Sequence, residues 1–183
     1  MILQDGEDEY RQTLEVRKDP HSAGTEDDIR LQTDMLIDIR KDMTAAVEAI
    51  NRIEWVRRQL DDLQAVAKGV GVEAESILSN AGALVGTFVT LQGKLLELRA
   101  TGPGQDFASW PVMLAGKLSY LAGAVSTADF RPTDQHLEVH QELKAELAEY
   151  QQELEGLLQN EQPAFNETLD ENQLPRIAIG SES

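Results

Sequence analysis

Leu36, Ile39, Met43, Ala46, Ile50, Ile53 and Leu60 follow one another at three-and-four spacing, the repeat of an amphipathic helix. The run starts near Thr25 and continues to about Lys68. Roughly forty residues at about 1.5 Å each predict a helix of about 60 Å. Thr25 is a good N-cap, and Glu26, Asp27 and Asp28 place negative charge on the positive end of the helix dipole. Glu48–Arg52 and Glu54–Arg58 are spaced to pair along the same helix. A helix of this length must bury its stripe against others.

Three further helical segments supply partners. Ile77, Ala81, Leu84, Phe88, Leu91, Leu95 and Leu98 make a heptad seam. Gly82, Gly86 and Gly93 lie within it, where a close helix–helix approach would account for them. After the "TGPGQDFASW" loop, Pro111 suits the first turn of a third helix, with Leu114, Leu118, Leu121 and Val125 as its stripe and an end near Ala128. The fourth begins at Thr133, a second N-cap candidate. Leu137, Leu143, Leu147, Tyr150, Leu154 and Leu158 mark its inner face. Pro163 should kink or restart it; Phe165 and Leu169 carry it on to about Glu171.

The N-terminal segment has a different period. Tyr10, Gln12, Leu14 and Val16 alternate with Arg11, Thr13, Glu15 and Arg17, and Asp5-Gly6 is a hairpin turn signal. Pro20 ends the strand. The expected fold is mainly α: an antiparallel up-down-up-down four-helix bundle with long first and last helices, preceded by a short β-hairpin. Residues 1–20 form the hairpin, 21–24 a linker, 25–172 the helical bundle and 173–183 a tail. An even number of helices would bring "PRIAI" of the tail back near the hairpin.

Charge and composition exclude several function classes. The net charge is −17, which disfavours nucleic acid and anionic membrane surfaces, both of which call for Lys and Arg. From Thr133 onward, twelve acidic residues face only Lys144 and Arg176. There is no cysteine, hence no disulfide and no thiolate metal site. No run is long and apolar enough to span a bilayer, and "MILQDGEDEY" reads as no signal peptide.

Candidate chemistry is thin. His136 and His140 sit four apart in "HLEVH", a spacing that can ligate metal, but Leu137 stands where a zinc protease needs Glu; both read as ordinary surface histidines. The many carboxylates lack a cleft to separate their pKa values. "GVGVEA" at Gly69–Ala74 is a glycine turn, not a phosphate loop, and "NET" at Asn166–Thr168 is a short match to a glycosylation acceptor. Trp55 and Trp110 read as packing residues; an exposed Trp55 would indicate an interface. No catalytic, cofactor-binding or metal-ligating residue is assigned, and no cofactor is expected.

Several stretches taken in order carry a resemblance: "LEVRKDP" (Leu14–Pro20), "TEDDIRLQTDMLIDIRKDMTAAVEAINRIEWVRRQL" (Thr25–Leu60), "KLSYLAGAVSTADFRPTDQHLEVHQELKAELAEYQQEL" (Lys117–Leu154) and "LPRI" (Leu174–Ile177). Together they resemble the C-terminal end of large exported bacterial BNR-repeat, sortilin- and VPS10-like, glycosyl-hydrolase-like proteins. The likeness covers nearly the whole chain and is weakest over Val72–Arg99. It implies a propeller, then an immunoglobulin-like β-domain whose last strands are residues 1–20, then this helical region. It also implies a parent protein that is periplasmic or extracellular. The propeller's Ser-x-Asp-x-Gly-x-x-Trp pattern does not occur here, so no active residue carries over. The expected role is a non-catalytic accessory domain whose partners are the propeller and β-domain. The alternative is a free-standing interaction module that dimerises through the Ile77–Leu98 seam.

Overall fold

The computed structural model describes residues 2–6, 8–70, 75–100 and 109–178. Residues 71–74 of the glycine turn read at Gly69–Ala74, the Gly-Pro-Gly loop within 101–108 and the tail beyond 178 lie outside them; Gly69 and Val70 are helical, not a turn. A two-stranded antiparallel hairpin, β1 (Ile2–Asp5) and β2 (Asp8–Arg11), precedes a mainly helical body. The body comprises α1 (Glu26–Val70), α2 (Glu75–Leu95), α3 (Leu114–Val125), α4 (Asp134–Gly156), one π-helical turn (Leu157–Glu161) and α5 (Gln162–Glu171).

Capping fixes where the long helices begin. Thr25 Oγ1 accepts from the Asp28 backbone N–H, and the Asp28 carboxylate accepts from the backbone N–H and hydroxyl of Thr25. This satisfies two orphan donors reciprocally, in the manner of a capping box. Thr133 does the same for α4, with His136 as its return partner. α1 then runs through Gly69 to Val70, 45 residues in all, or about 67 Å. Pro111, expected in the first turn of α3, lies before it, and Met113 is the N-cap.

The direction of each helix follows from which residues meet. On α1, Arg57 and Glu54 reach Gln92 near the end of α2. Gln32, near the start of α1, donates to the carbonyls of Val125 and Ala128 at the end of α3. Both α2 and α3 are therefore antiparallel to α1, and they stand end to end along it. α4 returns beside them: Lys117 meets Glu146, Lys94 meets Glu153, and Asn80 and Leu84 share a groove with Phe165 and Thr168. The cross-section holds three rods: α1, the α2–α3 pair, and α4 with α5.

This corrects the expected up-down-up-down order of four helices. α3 follows α2 in the same direction because neither covers α1 alone. The buried stripe of α1 from Gln32 to Leu63 rises about 47 Å, whereas α2 and α3 span about 32 and 18 Å. An odd number of rods also leaves the chain at the far end. Leu174–Ala178 folds back on α5 and α1: the Ala178 N–H donates to Gln59 Oε1 at 2.8 Å, and the Ile177 carbonyl accepts from Gln162 and Asn166. As far as Ala178 the tail lies away from the N-terminal end of the bundle, where the sequence reading had placed it.

The π turn answers Pro163. A proline in a helix lacks the N–H that would bond four residues back. Here the Gln162 N–H bonds to the Leu157 carbonyl, five back, so one extra residue enters the coil just before the proline. The inner face continues without a break through Phe165 and Leu169.

Gly24 is the close approach in the fold. A Cβ there would collide with the Asp129 carbonyl, so the linker lies flat on the α3–α4 connection. Gly82 and Gly86 are different: a Cβ at either would meet nothing within 4 Å, so close packing does not explain them. Gly82→Ala and Gly86→Ala should each stabilise the chain, by about 0.5–1 kcal/mol. Gly24→Ala should destabilise it. Urea unfolding followed by circular dichroism reads all three.

Candidate functional site

The two histidines singled out by sequence do not converge. His136 Nδ1 accepts from the Thr133 backbone N–H at 3.3 Å, which makes it part of the α4 cap. His140 is no surface histidine. It is buried, and its Nε2 lies 2.8 Å from Oδ2 of Asp42, buried on α1. Among the described residues no cluster of three or more His, Cys, Asp or Glu is placed to hold a metal ion.

Asp42 was missed by reading α1 for apolar positions alone. It falls on the buried seam Met35, Ile39, Asp42, Ala46, Ala49, Ile53, which steps four and three throughout. His140 likewise falls three before Leu143 on the inner face of α4. The signal was a polar residue at a seam position on each of two helices. Facing each other, they satisfy a buried carboxylate and a buried imidazole. They tie α1 to α4 and present no base to solvent.

A second polar contact sits between α1 and α2. Gln92 is 1% exposed; it accepts from Arg57 and donates to Glu54 at 3.2 Å. Glu155 accepts from Arg52 at 2.5 Å, so Arg52 bridges to α4 instead of pairing with Glu48 along α1. Tyr150 donates to Glu146 at 2.7 Å; burial, with that bond second, pushes the phenol up to about 12.

Asp28, Asp38, Glu97 and Asp170 are all held below the usual range, by hydrogen bonds from Thr25, Lys41, Arg99 and Arg176 respectively. A general acid needs the opposite shift. At the end of α2, the Arg99 guanidinium bonds both oxygens of Glu97 and lies 3.8 Å from the centre of the Trp110 ring. Trp110 is thus a stacking partner. Trp55 is about half exposed on α1.

The heptad seam of α2 is used inside the chain. Ile77, Ala81, Leu84, Phe88, Leu91 and Leu95 are buried against the chain's own helices, and Leu98 lies beyond the helix and is exposed. The open apolar feature lies elsewhere, between α3 and α4. There Val112, Tyr120 and Val139 stand exposed over a floor of Leu121 and Leu143, around a groove of about 790 Å³.

The hairpin is exposed throughout. Leu3 pairs across from Tyr10 and Asp5 from Asp8, with Gly6 at φ +63° in the turn. β2 stops at Arg11, which pairs with Ile2, where the sequence reading carried the strand on to Pro20. Leu14 and Val16 are left exposed, Val16 at 86%. No family model, curated protein or solved structure matches the chain.

Two outcomes follow. Asp42→Ala, with His140 left in place, should cost about 1–3 kcal/mol in urea unfolding, since it orphans a buried imidazole. Asp42→Leu combined with His140→Leu should cost less than the sum of the two single changes. Glu97, held at about 2 against an ordinary 4.5, stabilises the fold fully above pH 4.5. That contribution is lost as the pH falls towards 2. In a carboxyl NMR titration Arg99→Gln should move the Glu97 midpoint upward.

Proposed function

We propose that this chain is a non-catalytic accessory domain, the C-terminal helical part of a larger exported BNR-repeat, sortilin-like protein. One observation carries the reading. A two-stranded hairpin is marginal at best in water, yet here every described residue from Ile2 to His21 is exposed. Leu3 and Tyr10 share one uncovered face, and Leu14 and Val16 follow it uncovered. Strands of this kind belong to a sheet that the helical body does not supply.

The linker supports a structural role. Lys18 Nζ donates to the Ser22 carbonyl at 2.7 Å, the Ser22 N–H donates to the Asp19 carbonyl at 3.1 Å, and Gly24 is wedged on Asp129. The segment that follows β2 therefore joins the bundle through a stapled turn. In this reading the helices hold a preceding β-domain at a set angle, and the glycan chemistry implied by the resemblance resides in a propeller upstream.

An antibody raised against the helical body tests the proposal in the organism that encodes it. The reading expects an antigen far heavier than the 20.3 kDa of this chain, carrying β-domain peptides in tryptic digests. A native antigen of 20.3 kDa, with no peptides from an upstream domain, contradicts it.

A further inference from the structure

We propose that, in the chain by itself, the α3–α4 groove is a self-association site filled by the Tyr10–Lys18 arm of a second copy. This goes beyond the accessory role and does not depend on it. The groove is the open apolar concavity described above, with Lys117, Glu142 and Glu146 on its rim. Tyr120, at 81% exposure, stands over it. The acceptor surface is therefore already formed in the monomer.

The arm matches it in pattern, length and charge. Tyr10, Leu14 and Val16 alternate with polar residues, so an extended arm lays all three on one face. Tyr10 to Val16 spans about 20 Å extended, and the groove from Gln135 to Glu146 rises about 16 Å along α4. Arg11, Arg17 and Lys18 against Glu15 leave the arm at +2 in a chain of −17. It is a basic segment, and the rim carries Glu142 and Glu146 against one cation, Lys117, which is paired with Glu146.

In the monomer the arm lies exposed and leaves its own groove uncovered. The stapled turn at Asp19–Ser22 and the wedged Gly24 root the arm at the α3–α4 connection, beside one end of the groove, and the arm leaves that root exposed. The arm is rooted beside its own groove yet leaves Tyr120 uncovered, so the same groove on a two-fold-related copy is open to it. The reciprocal contact then closes. Two arm–groove contacts per dimer need to bury about 600–1,000 Å² each to reach the range of a stable interface.

Sedimentation equilibrium of the full chain tests this from about 1 to 100 µM. A reversible dimer is expected. Leu14→Asp with Val16→Asp, and separately Tyr120→Asp, should each weaken it by at least about tenfold. These side chains are exposed, so the thermal melt of the helices should not move. Mixing the arm variant with the Tyr120 variant pairs one intact arm with one intact groove, and the mixture should associate more tightly than either alone. A strict monomer at about 100 µM, including one whose arm lies in its own groove, overturns the proposal. So does a dimer that ignores the arm and Tyr120 substitutions, or a mixture no tighter than its components.

Discussion

The buried stripe of α1 is the constraint on which the rest depends. It runs from Gln32 to Leu63 at four-and-three spacing, and no other single helix but the α4–α5 rod is long enough to cover it. One side is closed by α2 and α3 in series, the other by α4 and, beside Gln59, by the tail. Since α2 and α3 share the task, they must run the same way. The crossing between them, the length of the α4–α5 rod and the position of the tail at the far end all follow from that division.

Polar residues placed on the seams set the register. Gln32 holds the end of α3 by its carbonyls, Asp42 holds His140, Gln92 links Glu54 and Arg57, and Gln162 holds the Ile177 carbonyl. These contacts are spread along the bundle. A core rich in Leu, Ile and Ala tolerates alternative packings of similar volume, losing uniqueness before stability. A buried carboxylate or amide cannot slide without losing its partner. On this account the polar positions choose one alignment of three rods among several that apolar packing alone would tolerate.

The helices were legible in the sequence because their periods are clean and their caps are strong. Thr25 and Thr133 mark starts, the α2 seam is buried as its spacing indicates, and Pro163 marks the disturbance that the π turn absorbs. Helix direction was not legible. A loop following α2 can turn the chain back or carry it on, and periodicity is the same in both cases. His140 was misread because a histidine was weighed for metal chemistry and not for its place on the inner face. Asp42 was passed over because the search along α1 looked only for apolar residues. The hairpin was recognised, but its second strand was drawn too long, since alternation continues past Arg11, the last residue that pairs with β1.

The proposed roles rest on surfaces the bundle leaves open: the exposed N-terminal segment and the α3–α4 groove. Both are placed by the three-rod arrangement, so the arrangement is the claim to test first. Spin labels at Arg30 and Ala178, read by double electron–electron resonance, measure it directly. Ala178 lies beside Gln59, twenty-nine residues along α1 from Arg30, so the account expects a separation of about 45 Å. A distance below about 20 Å, as four alternating helices would give by returning the tail to the start of α1, would contradict it.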